Sequence, residues 1–153
     1  MSIQFGIDNL LALDPKWKTK KIAFLTNDAA TSSKGIASRK ALIDAGFNIV
    51  LLFSPEHGIS TKGEDGLKMK DAVDPITKLK VISLYNEKLA PTKEDLKGID
   101  VLLFDIPDAG TRFYTYLWTM SYFIETAAKF KLPIYILDRP NPLGGMFNMV
   151  EGP

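Results

Sequence analysis

Apolar residues in this chain fall into short blocks separated by polar stretches, and the spacing within each block predicts its conformation. Gly6 to Leu13 places Ile7, Leu10 and Leu11 at helical intervals and closes on Asp14-Pro15, which predicts an N-terminal amphipathic helix. Ile22 to Thr26 is too short for a helix and is flanked by polar residues, so it reads as a strand. Ser33 can cap a second helix with Ile36, Leu42 and Ile43 on one face, stopped at Gly46. Asn48 to Phe53 is a second strand, and Gly58 to Lys78 a long polar excursion over the surface. Leu79 to Tyr85 is a third apolar run. Pro91 to Leu96 reads as a helix start capped by Thr92 and ended by Gly98. Ile99 to Ile106, the most hydrophobic run, predicts a strand buried on both faces. Tyr114 to Lys131 carries Leu117, Met120, Ile124, Ala127 and Ala128 near a 3.6-residue period, which predicts the longest helix. Pro133 turns the chain into a last strand, Ile134 to Leu137.

Strands separated by helices or long crossovers imply a parallel sheet covered on both faces. The expected fold is therefore α/β: a Rossmann-like three-layer sandwich with a mostly parallel sheet of about five strands, formed by residues 1–153 as one domain. Its 153 residues, 46% hydrophobic and 24% charged, are ordinary for a globular domain with one core. A formal charge of +1 without a basic block gives no reason to expect nucleic acid. No apolar run approaches the roughly 20 residues that span a bilayer. Met1 to Phe5 lacks the basic and apolar regions of a signal peptide, so a soluble chain is expected. The absence of cysteine excludes disulfides, thiolate catalysis and thiolate zinc sites.

In an open parallel sheet the ligand site lies beyond the carboxyl ends of the strands. The residues that follow the predicted strands are Thr26-Asn27-Asp28, Ser54-Pro55-Glu56-His57-Gly58, Tyr85-Asn86-Glu87, Asp105 to Arg112, and Asp138-Arg139-Pro140-Asn141-Pro142. Three of these five edges combine an acid with a base. Polar loops are common, yet acids, amides, arginines and the chain's one histidine gathered on a single rim point to a site. The Ser54-Gly58 loop is the sharpest part of it: proline keeps Ser54 extended, Gly58 permits a turn, and an acid and an imidazole stand between them.

Several chemistries are open at such a rim. The first loop has neither Gly-x-Gly-x-x-Gly nor Gly-Lys-Ser/Thr, so no nucleotide cofactor is expected. Ser54 lies in no nucleophile elbow. Glu56, His57, Asp105, Asp108 and Asp138 are ligand types for a divalent metal, but they lack a clustered spacing, and no metal is expected. Paired carboxylates remain, as in glycoside hydrolysis, where one carboxylic acid protonates the leaving oxygen and a second group supplies the nucleophile or base. Glu56 fits the acid if its loop is desolvated. Arg112, beside Tyr114 and Tyr116, suits a sugar ring and a carboxylate, although these aromatics equally suit helix anchoring. Arg139 is similar, with a salt bridge to a neighbouring aspartate as its structural alternative.

Phe24-Leu25-Thr26-Asn27, Ser54 to Gly58, Ser83-Leu84-Tyr85, Asp105 to Tyr116, Asp138 to Pro142 with Gly144-Gly145, and Glu151-Gly152-Pro153 resemble, in order, motifs of the bacterial exo-β-N-acetylmuramidase family. The resemblance implies release of terminal non-reducing N-acetylmuramic acid from peptidoglycan fragments, and an extracytoplasmic location. It further implies a Rossmann-like N-terminal catalytic domain whose cleft is closed by a smaller C-terminal domain, of which this chain is the N-terminal half. Carried onto this sequence, it makes Glu56 the general acid, while Asp105 and Asp108 are the candidates for the second catalytic group, with a tyrosine as the alternative. Asn27, His57, Arg112, Tyr114, Tyr116, Asp138, Arg139 and Asn141 then bind substrate, and Arg112 or Arg139 grips the lactyl carboxylate. Pro107 and Asn86 depart from the family's glutamine and glycine. A non-catalytic carbohydrate-binding module and a metal-dependent hydrolase are the alternative readings.

Overall fold

Alternation along the central strands builds the two cores. In β1 (Ile22–Thr26), Ile22 and Phe24 point to one face of the sheet, and Ala23 and Leu25 to the other. The computed structural model describes residues 3–62, 70–85, 87–111, 113–144 and 146–149. Around β1 lie β2 (Ile49–Ser54), β4 (Lys80–Ser83), β5 (Val101–Asp105) and β6 (Ile134–Ile136), each parallel to its neighbour. A sixth strand, β3 (Ala72–Val73), runs antiparallel on the edge, giving the order β3-β4-β2-β1-β5-β6. β3 lies within the predicted excursion. Its two exposed residues carry no apolar run for a sequence pattern to detect.

Helices cover both faces, as a three-layer sandwich requires. On one side α1 (Gly6–Leu13) and α2 (Ser38–Asp44) bury Ile7, Leu10 and Leu42 against Phe24, Leu52, Val81 and Leu103. On the other, α3 (Thr115–Phe130) buries Tyr116, Phe123 and Ala127 against Leu25, Phe53, Leu102 and Phe104. At about 25 cal/mol per Å² of apolar surface removed from water, these two faces supply the main driving force for folding.

Two predicted helices differ. The second starts at Ser38 rather than near Ser33, because Gly35 adopts φ 73 in a turn closed by a Thr31–Ala37 bridge. The segment from Pro91 forms successive turns instead of a helix. Thr92 and Asp95 make the reciprocal hydrogen bonds of a helix start, but Gly98 at φ 76 ends the run before it propagates.

The register aligns the carboxyl ends. Thr26 pairs with Asp105, Leu25 with Phe53, and Ser54 with Ser83, so the loops that follow β1, β2, β4 and β5 leave the sheet at one level. The chain builds outward from β1 through β2 to β4, then returns to β1's other side for β5 and β6. The reversal between β1 and β5 is a topological switch point, where the loops diverge to opposite faces and leave a crevice. On the β6 side, α1 is pressed against the sheet. A Cβ on Gly6 would lie 2.4 Å from the backbone nitrogen of Asp138, and Gly6 donates its N–H to the Asp138 carbonyl at 2.8 Å.

Candidate active site

A cleft of about 470 Å³ opens at this switch point, lined by Asn27 and Ala29 after β1, His57 and Thr61 after β2, Pro107, Asp108 and Ala109 after β5, and Tyr114 and Tyr116 at the start of α3. Glu56 stands beside it. A tight turn, with the Gly58 N–H on the Pro55 carbonyl, puts His57 at φ 66, a left-handed conformation that non-glycine residues seldom adopt. The turn tucks the Glu56 side chain inward, where it is 7% exposed, while His57 faces the cleft. Thr115 donates its hydroxyl to Glu56 Oε2 at 2.6 Å, and the Tyr116 hydroxyl reaches the Glu56 carbonyl at 3.4 Å. The N-terminus of α3 therefore holds the glutamate by side chain and backbone together. Thr115 is a contact the sequence does not single out; its place between two tyrosines at a helix start is the available signal.

The tyrosines pack edge to face, their centroids 4.5 Å apart. Burial raises the Tyr116 phenol well above its ordinary value, and the Tyr114 hydroxyl and the Glu56 charge push it further, with the Asn27 amide opposing. Tyr116 is thus a permanent donor at any physiological pH.

Asp105 and Arg139 form a separate unit. Arg139 Nε and Nη2 each lie 2.7 Å from an Asp105 carboxylate oxygen, Nη1 donates to the Thr31 carbonyl at 2.7 Å, and Nη2 also reaches Ser38 Oγ at 3.2 Å. The guanidinium stacks 5.0 Å over the Phe5 ring. Asp105 is fully buried, and neither residue lines the cleft. The structural alternative for Arg139 is thus what the geometry shows: a bidentate pair joining the ends of β5 and β6 to the β1–α2 loop. Asp108 is exposed on the cleft wall and accepts the Gly110 N–H at 3.1 Å. Asn141 accepts the Leu143 N–H at 2.8 Å in a turn packed on Gly110, and Asp138 is exposed away from the cleft. Arg112, Asn86, Gly145 and Glu151 to Pro153 lie outside the described residues.

A second buried arginine went undetected because charged helix residues are usually solvated. Arg39 of α2 bonds Asp74 Oδ2 at 2.9 Å and Asp28 Oδ1, and Asp28 donates its N–H to the Ile59 carbonyl at 2.8 Å. Burial works against both charges, but the hydrogen bonds prevail, so Arg39 is raised and Asp74 lowered from their ordinary values. Arg39 thereby ties the β1 loop, and through it the Glu56 loop, to the turn after β3. Among the described residues no group of three or more acids or histidines is placed to hold a metal ion. Nor is any described helix long and apolar enough to cross a membrane.

The family described as exo-beta-N-acetylmuramidase NamZ, N-terminal, matches residues 22–153. The peptidoglycan beta-N-acetylmuramidase NamZ of Bacillus subtilis (strain 168) is 41% identical over 153 residues, which cover 99% of this chain and 36% of that protein. Two crystal structures of DUF1343 family proteins from Bacteroides fragilis superpose with TM-scores of 0.80 and 0.75 at 37% and 32% identity, over 94% and 93% of this chain. The chain spans about 36% of the length of each of these relatives.

Proposed function

Because this chain belongs to the exo-β-N-acetylmuramidase NamZ family through the family's N-terminal region, we propose that it forms the catalytic wall of a peptidoglycan glycosidase. The enzyme releases terminal non-reducing N-acetylmuramic acid from cell-wall fragments, with Glu56 as general acid. One observation carries the reading: a carboxyl group buried beside the switch-point cleft, its rotamer fixed by Thr115 and its backbone by Tyr116. A carboxyl group held in one orientation at the edge of a cleft has the placement that protonation of a glycosidic oxygen requires.

On this reading the two aspartates play different parts. Asp105 has both oxygens engaged by Arg139 and no exposure, so it serves as a positioning residue and Arg139 with it. Asp108, on the cleft wall, is the carboxylate able to approach a sugar and is the candidate second group. The aromatic faces of Tyr114 and Tyr116 and the apolar Pro107 offer a platform for the ring. The remaining length of the relatives supports a further domain that closes the cleft and excludes water.

Release of muramic acid from a chromogenic N-acetylmuramide, compared between the protein and Glu56→Gln, tests the proposal. Loss of general acid catalysis is expected to cost roughly 10²–10⁴-fold. Unchanged turnover in the variant refutes the role of Glu56. Saturable sugar binding without turnover in either protein moves the reading to a carbohydrate-binding module.

A further inference from the structure

Two residues of the loop after β2 hold left-handed backbone without being glycine: His57 at φ 66 and Thr61 at φ 57. Thr61 is the costlier, since a β-branched side chain is seldom found there. Such conformations persist only where the surrounding structure over-determines them. The described backbone bonds within the loop are at the long end, the Gly58 N–H on the Pro55 carbonyl at 3.1 Å and the Thr61 N–H on the Gly58 carbonyl at 3.4 Å. A shorter bond reaches it from the neighbouring loop. Asp28 donates its N–H to the Ile59 carbonyl at 2.8 Å, midway between the two left-handed residues, and the Ile59 side chain is buried against the core.

Asp28 is fixed in turn by a buried arginine. Its carboxylate meets Arg39 Nη2, while Arg39 Nε bonds Asp74 Oδ2 at 2.9 Å, and the Arg39 and Asp74 side chains are 1% and 0% exposed. Asp74 Oδ2 also accepts the Thr77 N–H at 2.9 Å and the Thr77 hydroxyl at 2.7 Å, which anchors the inner end. A planar guanidinium forked between two carboxylates fixes their separation and direction as a lysine would not. Stability alone gives no reason for this arrangement, because apolar replacement of a buried ion pair is often neutral or stabilising. What the clasp supplies is position. It joins the turn after β3 to the β1 loop, and the β1 loop to the residues just after Glu56.

We propose that Arg39 is a positioning residue for the Glu56 carboxyl group, acting through Asp28 and Ile59 to hold the strained loop in its working conformation. The proposal rests on the reading of Glu56 as general acid, and adds a restraint to those that Thr115 and Tyr116 place on it. Asp28, its side chain 43% exposed, is the link that can be cut without opening the core.

The test compares the protein with Asp28→Ala, Asp28→Asn and the double variant Arg39→Met with Asp74→Leu. Asp28→Ala removes the outer carboxylate, Asp28→Asn keeps an acceptor oxygen for Nη2, and the double variant replaces the buried pair by apolar side chains. In Asp28→Ala, hydrogen-exchange protection of the residue-28 and Gly58 amides is expected to fall by about tenfold or more while the β1 and β5 amides keep theirs. On a chromogenic N-acetylmuramide, kcat is expected to fall by about 10–10²-fold in Asp28→Ala and in the double variant with KM within about twofold of the parent, and Asp28→Asn to recover most of the loss. Unchanged protection in Asp28→Ala overturns the assignment, as does unchanged kcat in Asp28→Ala or the folded double variant, a loss confined to KM, or an Asp28→Asn as impaired as Asp28→Ala. With the parent active, these results leave the muramidase reading intact. A parent that does not hydrolyse the muramide removes that reading, and the inference with it.

Discussion

Replacing Asp105 by Asn separates a positioning role from a chemical one. Asp105 is fully buried and the Arg139 side chain is 7% exposed, so solvent screens neither charge to any extent. Breaking a buried pair by removing one partner costs about 3–5 kcal/mol, because the remaining charge is left uncompensated. The amide keeps one acceptor oxygen, and Arg139 keeps its bonds to the Thr31 carbonyl and Ser38 Oγ, which places the expectation near the lower end, about 3 kcal/mol. With roughly 2–4 °C lost per kcal/mol in a domain of this size, Tm should fall by about 6–12 °C. Urea denaturation followed by circular dichroism should show the midpoint falling by about 1–3 M at an unchanged slope. Because hydrophobic replacement of a whole buried pair is often neutral, the double variant Asp105→Leu with Arg139→Met should recover most of the loss. Asp108→Asn, at an exposed position, should stay within about 0.5 kcal/mol of the parent. A midpoint shift below about 0.3 M for Asp105→Asn, with turnover abolished, would refute the positioning role and return Asp105 to the chemistry.

Two further outcomes follow from the same network. Thr115→Val removes the 2.6 Å hydrogen bond to Glu56, and muramide hydrolysis should fall by about tenfold with Thr115→Ser restoring it, whereas equal rates for all three would show that the bond does not set the carboxyl group. The folded pKa of Asp74 is depressed below its ordinary 3.8 despite burial, through hydrogen bonds from Arg39 and Thr77, so its contribution to stability is complete above that value and is lost as pH falls through the folded one. The stability gap between the protein and Asp74→Asn, measured by urea titration from neutral pH to about pH 2.5, should therefore narrow below pH 3.8; a constant gap would contradict the assignment.

Much of the scaffold was legible because burial imposes a period. Phe24 and Leu25 sit in a run too short for a helix, and Leu117, Met120, Ile124 and Ala127 fall near a helical period, which gave the helix but not the whole of its buried face: Leu117 and Ile124 are exposed, and Tyr116 and Phe123 pack inward instead. Segments whose structure depends on partners were not legible. Ala72 and Val73 become a strand only because β4 offers an edge, and the Thr92–Asp95 start yields no helix because Gly98 follows too soon. At the site, the Glu56 loop could be picked out by its proline, glycine and acid. The partners of each charge could not, since Thr115 lies 59 residues and Arg139 34 residues from the carboxylates they bond.

By itself the sequence determined the α/β class, the order of the main elements and the gathering of acids, amides and arginines after the strands. These depend on composition and local period, which a chain carries wherever it folds. The tertiary structure decided which polar residues face the cleft and which face one another. It buried Arg139 on Asp105 and Arg39 on Asp74, and set Glu56 under the hydroxyl of Thr115. A buried charge or amide must find its partner across the sheet, and that choice is made by the register and the switch point, which appear in no single stretch of sequence.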